Sequence, residues 1–179
     1  AVIAVSTGVL ASGDIRFWPE LPAEKGQAIE ALPLGNYNRI RLTVDRHLFA
    51  DDVPERIVTE QSDNPPMQLS VRPYGFDCVI GIVAGRYADW LERAGPDAGR
   101  EAVTRALCEI FGENMRNQIR SDRQSAWRGN AFVRGAYSTS APGQFHQRAV
   151  LSQAIQNKLF FCGEATSTDH FCTCHGARM

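Results

Sequence analysis

Apolar and polar residues recur along most of the chain at periods that each predict an element. Val2 to Val5 is a short apolar run suited to a buried strand, and Ser6-Thr7-Gly8 ends it. In 23–32 the residues Ala28, Ile29 and Leu32 fall at helical spacing behind Pro22, which sits where a missing N–H is tolerated; Pro33 and Gly35 stop the helix. From Arg39 to Asp45 the period becomes two, with Ile40, Leu42 and Val44 on one face and Arg39, Arg41 and Thr43 on the other, the mark of a half-buried strand. Met67–Val71 and Cys78–Ala84 are predicted as a strand pair around the Pro and Gly of Arg72–Asp77. Residues 86–93 read as a short helix. The clearest helix spans 97–111, with Val103, Ala106, Leu107, Ile110 and Phe111 in one stripe, Asp97 as the expected cap and Gly112 as the stop. Lys158 to Cys162 is a second buried strand. Two stretches keep neither period: 51–66, rich in proline and charge, and 121–143, rich in glycine and aromatics, expected to be loops that shape a site. No repeat interrupts this order, and the predicted class is mixed α and β (α+β).

Composition narrows the function more than the fold. The chain has 179 residues, a net charge of −1 and 44% apolar residues, enough for a core in one or two domains. Nucleic acid and membrane surfaces are not expected partners, because both demand a strongly basic face. No uncharged run approaches the roughly 18 residues of a membrane span, and the N-terminus lacks the order of a signal peptide. Five scattered cysteines fit a reducing compartment, so a cytoplasmic location is expected. The lack of an initiator Met, the opening inside an apolar run and the stop at Met179 where a helix would start lead to the expectation of a piece of a longer chain.

The common self-contained motifs are missing. No two of the fifteen glycines stand two residues apart, which removes the GxGxxG fingerprint; neither Lys25 nor Lys158 follows a glycine, which removes the P-loop. HExxH, GxSxG and CxxC are missing too. His170, Cys172, Cys174 and His175 are zinc-type side chains, but Cys-Thr-Cys has the spacing of neither a zinc ribbon nor a haem attachment, and no metal is expected. More informative is 159–178, read as a buried strand, a tight Gly163-Glu164 turn, a loop and a helix start. Such a segment can place a carboxylate and backbone N–H groups at a sheet edge, where a ribityl or phosphate group is held.

That segment, FFCGEATSTDHFCTCHGA, resembles the C-terminal FAD-binding signature of the flavin-dependent amine oxidases, the monoamine, polyamine and histone-demethylase superfamily, usually FFAGEAT…TVHGA. Five further segments are similar to family motifs in the same order: Val5–Leu10 with Ile15–Pro22, Leu34–Ile40, Val83–Arg86, Trp127, and Arg134–Ser138 with Pro142-Gly143. The resemblance covers nearly the whole chain but not the family's N-terminal Rossmann glycine motif. It implies a C-terminal fragment: a substrate-binding domain over 1–145, a mixed sheet flanked by helices, then the terminal strand, turn and helix start of an FAD-binding domain over 146–179.

The resemblance also implies roles. Gly163 and Glu164 would meet the sugar and phosphate region of FAD; Thr173 and Cys174 would bring backbone to the pyrimidine edge of the flavin, with Gly176 and Ala177 small enough for close approach. Trp127 would border the cofactor, Tyr137 would stand near the flavin face and channel the amine, and His170 would line the substrate path. Arg39 occupies the place of a family Lys that holds a water near flavin N5 and assists reoxidation. Ala136 stands where covalent members have Cys, so FAD is expected to be non-covalent. The implied reaction oxidises a small-molecule amine to an imine by hydride transfer to flavin, with the isolated fragment inactive. Alternatives are a non-catalytic, self-associating binding domain and a related flavin oxidoreductase of the amino-acid oxidase, desaturase or protoporphyrinogen-oxidase type.

Overall fold

The computed structural model describes residues 1–60 and 65–178, so part of the 51–66 connection lies outside the described residues. In chain order the elements are β1 (Val2–Ile3), α1 (Thr7–Ala11), α2 (Ala23–Ala31), β2 (Tyr37–Thr43), β3 (Arg56–Val58), β4 (Gln68–Val71), β5 (Cys78–Ala84), α3 (Gly85–Ala94), α4 (Pro96–Phe111), β6 (Ser121–Gln124), α5 (Gln147–Ser152), β7 (Phe160–Phe161) and α6 (Cys174–Arg178). The class is mixed α and β, as the periods predict. Contacts divide the chain into two compact units, 1–36 with 127–179 and, separately, 37–126. The division therefore does not fall at 145/146. The N-terminal apolar run pairs in parallel with the last strand, Val2 opposite Phe160 and Ile3 opposite Phe161, which gathers both ends of the chain into one unit.

In 37–126 five strands form a sheet in the order β3-β4-β5-β2-β6, antiparallel at every pairing. The alternation of β2 works as its sequence requires: Ile40 and Leu42 are fully buried, Arg39 and Arg41 exposed. The buried face packs against Ala88 and Leu91 of α3 and against Val103, Ala106 and Leu107 of α4. Helix α4 begins one residue earlier than expected, with Pro96 in its first turn after Gly95, whose φ of 94° suits glycine; Asp97 lies in the first turn instead of capping it. Gly112, at φ 93°, ends it. Strands β3 and β6 fall in stretches expected to be irregular. Both are short, and β6 is wholly polar; their pairing with β4 and β2 makes them strands where their own pattern does not.

In the other unit Ala28, Ile29, Leu32, Leu151, Phe161 and Ala165 form a small core. Helix α1 follows the apolar run because the Ser6 hydroxyl caps it, accepting from the Val9 N–H at 3.2 Å. Buried Lys25 closes the other end of the unit's helix pair. Its Nζ donates to the carbonyls of Val150, Leu151 and Gln153 at 2.7, 3.0 and 2.7 Å, at the end of α5, where the Val150 carbonyl also accepts from the Gln153 N–H. Burial pulls the Lys25 ammonium below its ordinary pKa, against the opposing pull of Glu24. No helix among the described residues is long and apolar enough to cross a membrane.

Candidate functional site

β1 and β7 run side by side and stop together, and the chain after each one turns across the ends of the strands. These turns, Ala4–Thr7 and Cys162–Thr166, wall a cleft of about 220 Å³ with Ile3, Leu10, Leu34, Leu151 and Phe161 as apolar lining and Ala136 and Ala177 as small residues. The carboxyl ends of parallel strands are the usual place for ligands in α/β sheets. Gly163 turns the chain there at φ 125°, a conformation open to glycine. Thr7, a lining residue of the cleft, is 2% exposed, and its buried hydroxyl has no hydrogen-bond partner among the described residues. A buried hydroxyl without a partner costs about 1–3 kcal/mol, which a polar ligand atom there would recover.

Glu164 is the organising group of the wall. Its carboxylate accepts from the Ser138 N–H at 2.7 Å, the Ser138 hydroxyl at 2.8 Å and the Cys172 N–H at 2.8 Å. Behind it stands Arg148, 1% exposed, whose guanidinium donates to the Ser138 hydroxyl (2.7 Å), the Ser138 carbonyl (3.2 Å) and the Ala165 carbonyl (3.2 Å). The same guanidinium lies over the rings of Phe171 at 4.5 Å and Phe145 at 5.5 Å. Burial lowers the Arg148 pKa while the Glu164 charge raises it. Burial, then Glu164, pushes the Cys172 thiol up. A carboxylate has about four lone-pair sites; three are used within the chain, which leaves one for a ligand.

Of the residues expected at the site, Gly163, Glu164 and Ala177 line the cleft together. Thr173 does other work at its edge: its hydroxyl donates to the His170 carbonyl at 2.5 Å and accepts from the Gly176 N–H at 3.1 Å, capping α6, whose first residue is Cys174. A Cβ at Gly176 would stand 1.9 Å from the His170 carbonyl oxygen, so the small residue there serves the fold of this loop. His170 is exposed, and its ring lies tilted against that of His175 at 54°, with centroids 4.6 Å apart. Trp127 is exposed, and its carbonyl accepts from the Gly135 N–H. Tyr137 is half-buried and its carbonyl accepts from the Gly35 N–H at 2.9 Å; neither aromatic lines the cleft. Arg39 belongs to the other unit, exposed on β2, its guanidinium 5.9 Å from the Tyr37 ring centroid. Among the described residues no group of three or more His, Cys, Asp or Glu is placed to hold a metal ion, and all five cysteines are free. Thr7, Ser138 and Arg148 were not signalled by the sequence. Thr7 follows directly on the apolar run of β1 and could have been read from that position; nothing local marks Arg148 as buried.

Comparison with known proteins places these residues in a wider frame. The family model for flavin-containing amine oxidoreductase matches residues 1–179. Lysine-specific histone demethylase 1 homolog 1 of Oryza sativa subsp. japonica is 33% identical over 98% of this chain and 22% of its own length. Polyamine oxidase 2 of Arabidopsis thaliana is 30% identical over 99% of this chain and 36% of its own. The chain thus spans about a quarter to a third of the curated relatives it matches. Among solved structures, cyclohexylamine oxidase from Brevibacterium oxydans IH-35A superposes on 95% of this chain and 38% of its own with a TM-score of 0.68 at 20% identity, a likeness of fold.

Proposed function

The chain belongs to the flavin-containing amine oxidoreductase family, and on that premise we propose that it is part of an FAD-dependent enzyme that oxidises a small-molecule amine. The observation that carries the reading is the cleft at the ends of β1 and β7, with its glycine turn, apolar walls and unpartnered Thr7 hydroxyl. That lining suits a flat aromatic ring system with polar edges. A volume near 220 Å³ is below the range of about 300–1,000 Å³ of complete small-molecule sites, so this unit encloses only a part of the cofactor. Thr7, the Gly163-Glu164 turn and Ala177 would hold it, without a covalent bond, since Ala136 carries no nucleophile. When bound, the flavin supplies a two-electron acceptor for the hydride on the carbon next to the amine nitrogen.

The chain's own residues then orient and shield. Glu164, tied to Ser138 and Cys172, keeps the 162–166 turn at one setting and retains a lone pair for a sugar hydroxyl. Tyr137 and His170 are assigned to the amine's approach. Arg39 would bring a fixed positive charge where family members have Lys; a guanidinium lacks the compact, tunable ammonium, which would weaken reoxidation by oxygen and open the way to another acceptor. Alone, the 179 residues are inactive.

The test is an FAD titration by flavin fluorescence on this chain and on a form extended upstream, followed by anaerobic mixing of the FAD-loaded long form with a panel of amines. The expected result is FAD binding and amine-dependent bleaching in the long form alone. Tight FAD binding by the 179 residues would overturn the partial-site reading. Desaturation of a non-amine substrate with no amine turnover would overturn the amine assignment.

A further inference from the structure

The five-stranded sheet has a second face that α3 and α4 do not cover, and its charge is one-sided. Arg39 and Arg41 of β2 project from it, and Arg123 of β6 stands directly opposite Arg41 in the antiparallel register. Residues opposite each other across such strands have Cβ atoms about 4.5–5.5 Å apart, and like charges there repel; Arg39 is one pleat on, about 7 Å away. The neighbouring arginines are neutralised: Arg120 pairs with Asp45, Arg100 with Asp122 and Arg116 with Glu101. Among the described residues no carboxylate pairs with Arg39, Arg41 or Arg123.

On the other side of Arg41, toward β5, lies a groove of about 330 Å³ lined by Arg41, Pro73, Tyr74, Phe76, Cys78 and Ile80. Its aromatic walls stand in solvent, Tyr74 at 94% and Phe76 at 65% exposure. The turn that carries them keeps two non-glycine residues, Arg72 and Tyr74, at positive φ of 49° and 55°, a backbone setting of the kind retained at functional sites. Two aromatics presented to water on such a turn, beside a pair of arginines held against each other's repulsion, match a ligand with a ring at one end and an anion at the other.

We propose that this face binds a small aromatic carboxylate, its ring between Tyr74, Phe76 and Ile80 and its carboxylate on the guanidinium of Arg41, with Arg123 as the second cation. Arginine suits that role because its planar fork meets a carboxylate through two parallel N–H···O bonds. The volume accommodates one bicyclic ring. The site lies within 37–126.

The experiment is a fluorescence titration of the 179-residue chain with 2-naphthoate. Saturable binding is expected, weakened about tenfold or more in Arg41→Gln and in Arg123→Gln, and weakened by added salt. The neutral 2-naphthylmethanol, with the same ring, should bind about tenfold less well. Tyr74→Asn tests the aromatic wall without disturbing the turn, since Asn accepts left-handed backbone, and should also weaken binding. Melting curves accompany each variant; removing one of two like charges should leave the midpoint unchanged or higher, and if an arginine variant fails to fold, Tyr74→Asn and the neutral probe still decide. Non-saturating binding, or equal affinity in wild type, Arg41→Gln and Arg123→Gln, overturns the proposal. So does stronger binding of inorganic phosphate or a decaglutamate peptide with no loss in Tyr74→Asn, which would make the face a general anion or acidic-peptide site.

Discussion

Single residues decide whether the cleft wall stands. Arg148 supports Ser138 from behind, and Ser138 in turn holds Glu164. Arg148→Met keeps the stem's packing but takes the guanidinium from the Ala165 carbonyl and from the Ser138 hydroxyl and carbonyl, the last of which keeps the Cys172 thiol at 3.1 Å; an orphaned buried carbonyl costs about 1–3 kcal/mol. Urea unfolding is therefore expected to show a loss on the order of 3 kcal/mol; a loss below about 1 kcal/mol would mean that the network relaxes onto other partners. The cysteines give a second check. Thiolate is the reactive form, and both burial and the Glu164 charge hold Cys172 in its thiol form to higher pH. Alkylation at pH 8 followed by mass spectrometry should modify exposed Cys162 and Cys174 first and Cys172 later, with Cys172 still accelerating as pH rises. Only part of this was readable beforehand: Gly163-Glu164 announces a turn by its own chemistry, whereas the burial of Arg148 depends on Phe145 and Phe171 meeting above it, which no local pattern records.

Elements form where local pattern and tertiary contact agree, and two glycines separate the contributions. A Cβ at Gly81 of β5 would stand 2.4 Å from Val103 Cγ2 and 2.9 Å from Met67 Sδ, so Gly81→Ala forces the sheet away from α4 and should cost about 1–3 kcal/mol. Gly26, inside α2, has nothing within 4 Å of such a Cβ, and Gly26→Ala should stabilise by about 0.5–1 kcal/mol through helix propensity. Thermal denaturation of the two variants is expected to move in opposite directions. The long periodic elements, β2, β5 and α4, were predictable because each repeats its pattern over seven residues or more. Strands of three and four residues, β3 and β6, carry too few repeats to specify themselves, and pairing with a neighbour defines them.

At the scale of the whole molecule, residues 37–126 form a continuous stretch with their own core, and the unit built from 1–36 and 127–179 surrounds them in sequence. Expressed alone, 37–126 should give a strand-containing far-UV spectrum and a cooperative melt; a featureless melt would show that the five-stranded sheet needs the rest of the chain. The amino-acid sequence by itself determined the class of fold, the longest strands and helices, and the family, because these rest on periodicity and on ordered short motifs that survive as text. The tertiary structure alone decided which ends of the chain share a unit, that Glu164 spends most of its hydrogen-bonding capacity on Ser138 and Cys172, and that Arg41 and Arg123 face each other with no counter-ion among the described residues. Each of these is a meeting of residues far apart in the chain, and sequence periodicity encodes which face of an element is buried but not which distant element it will meet.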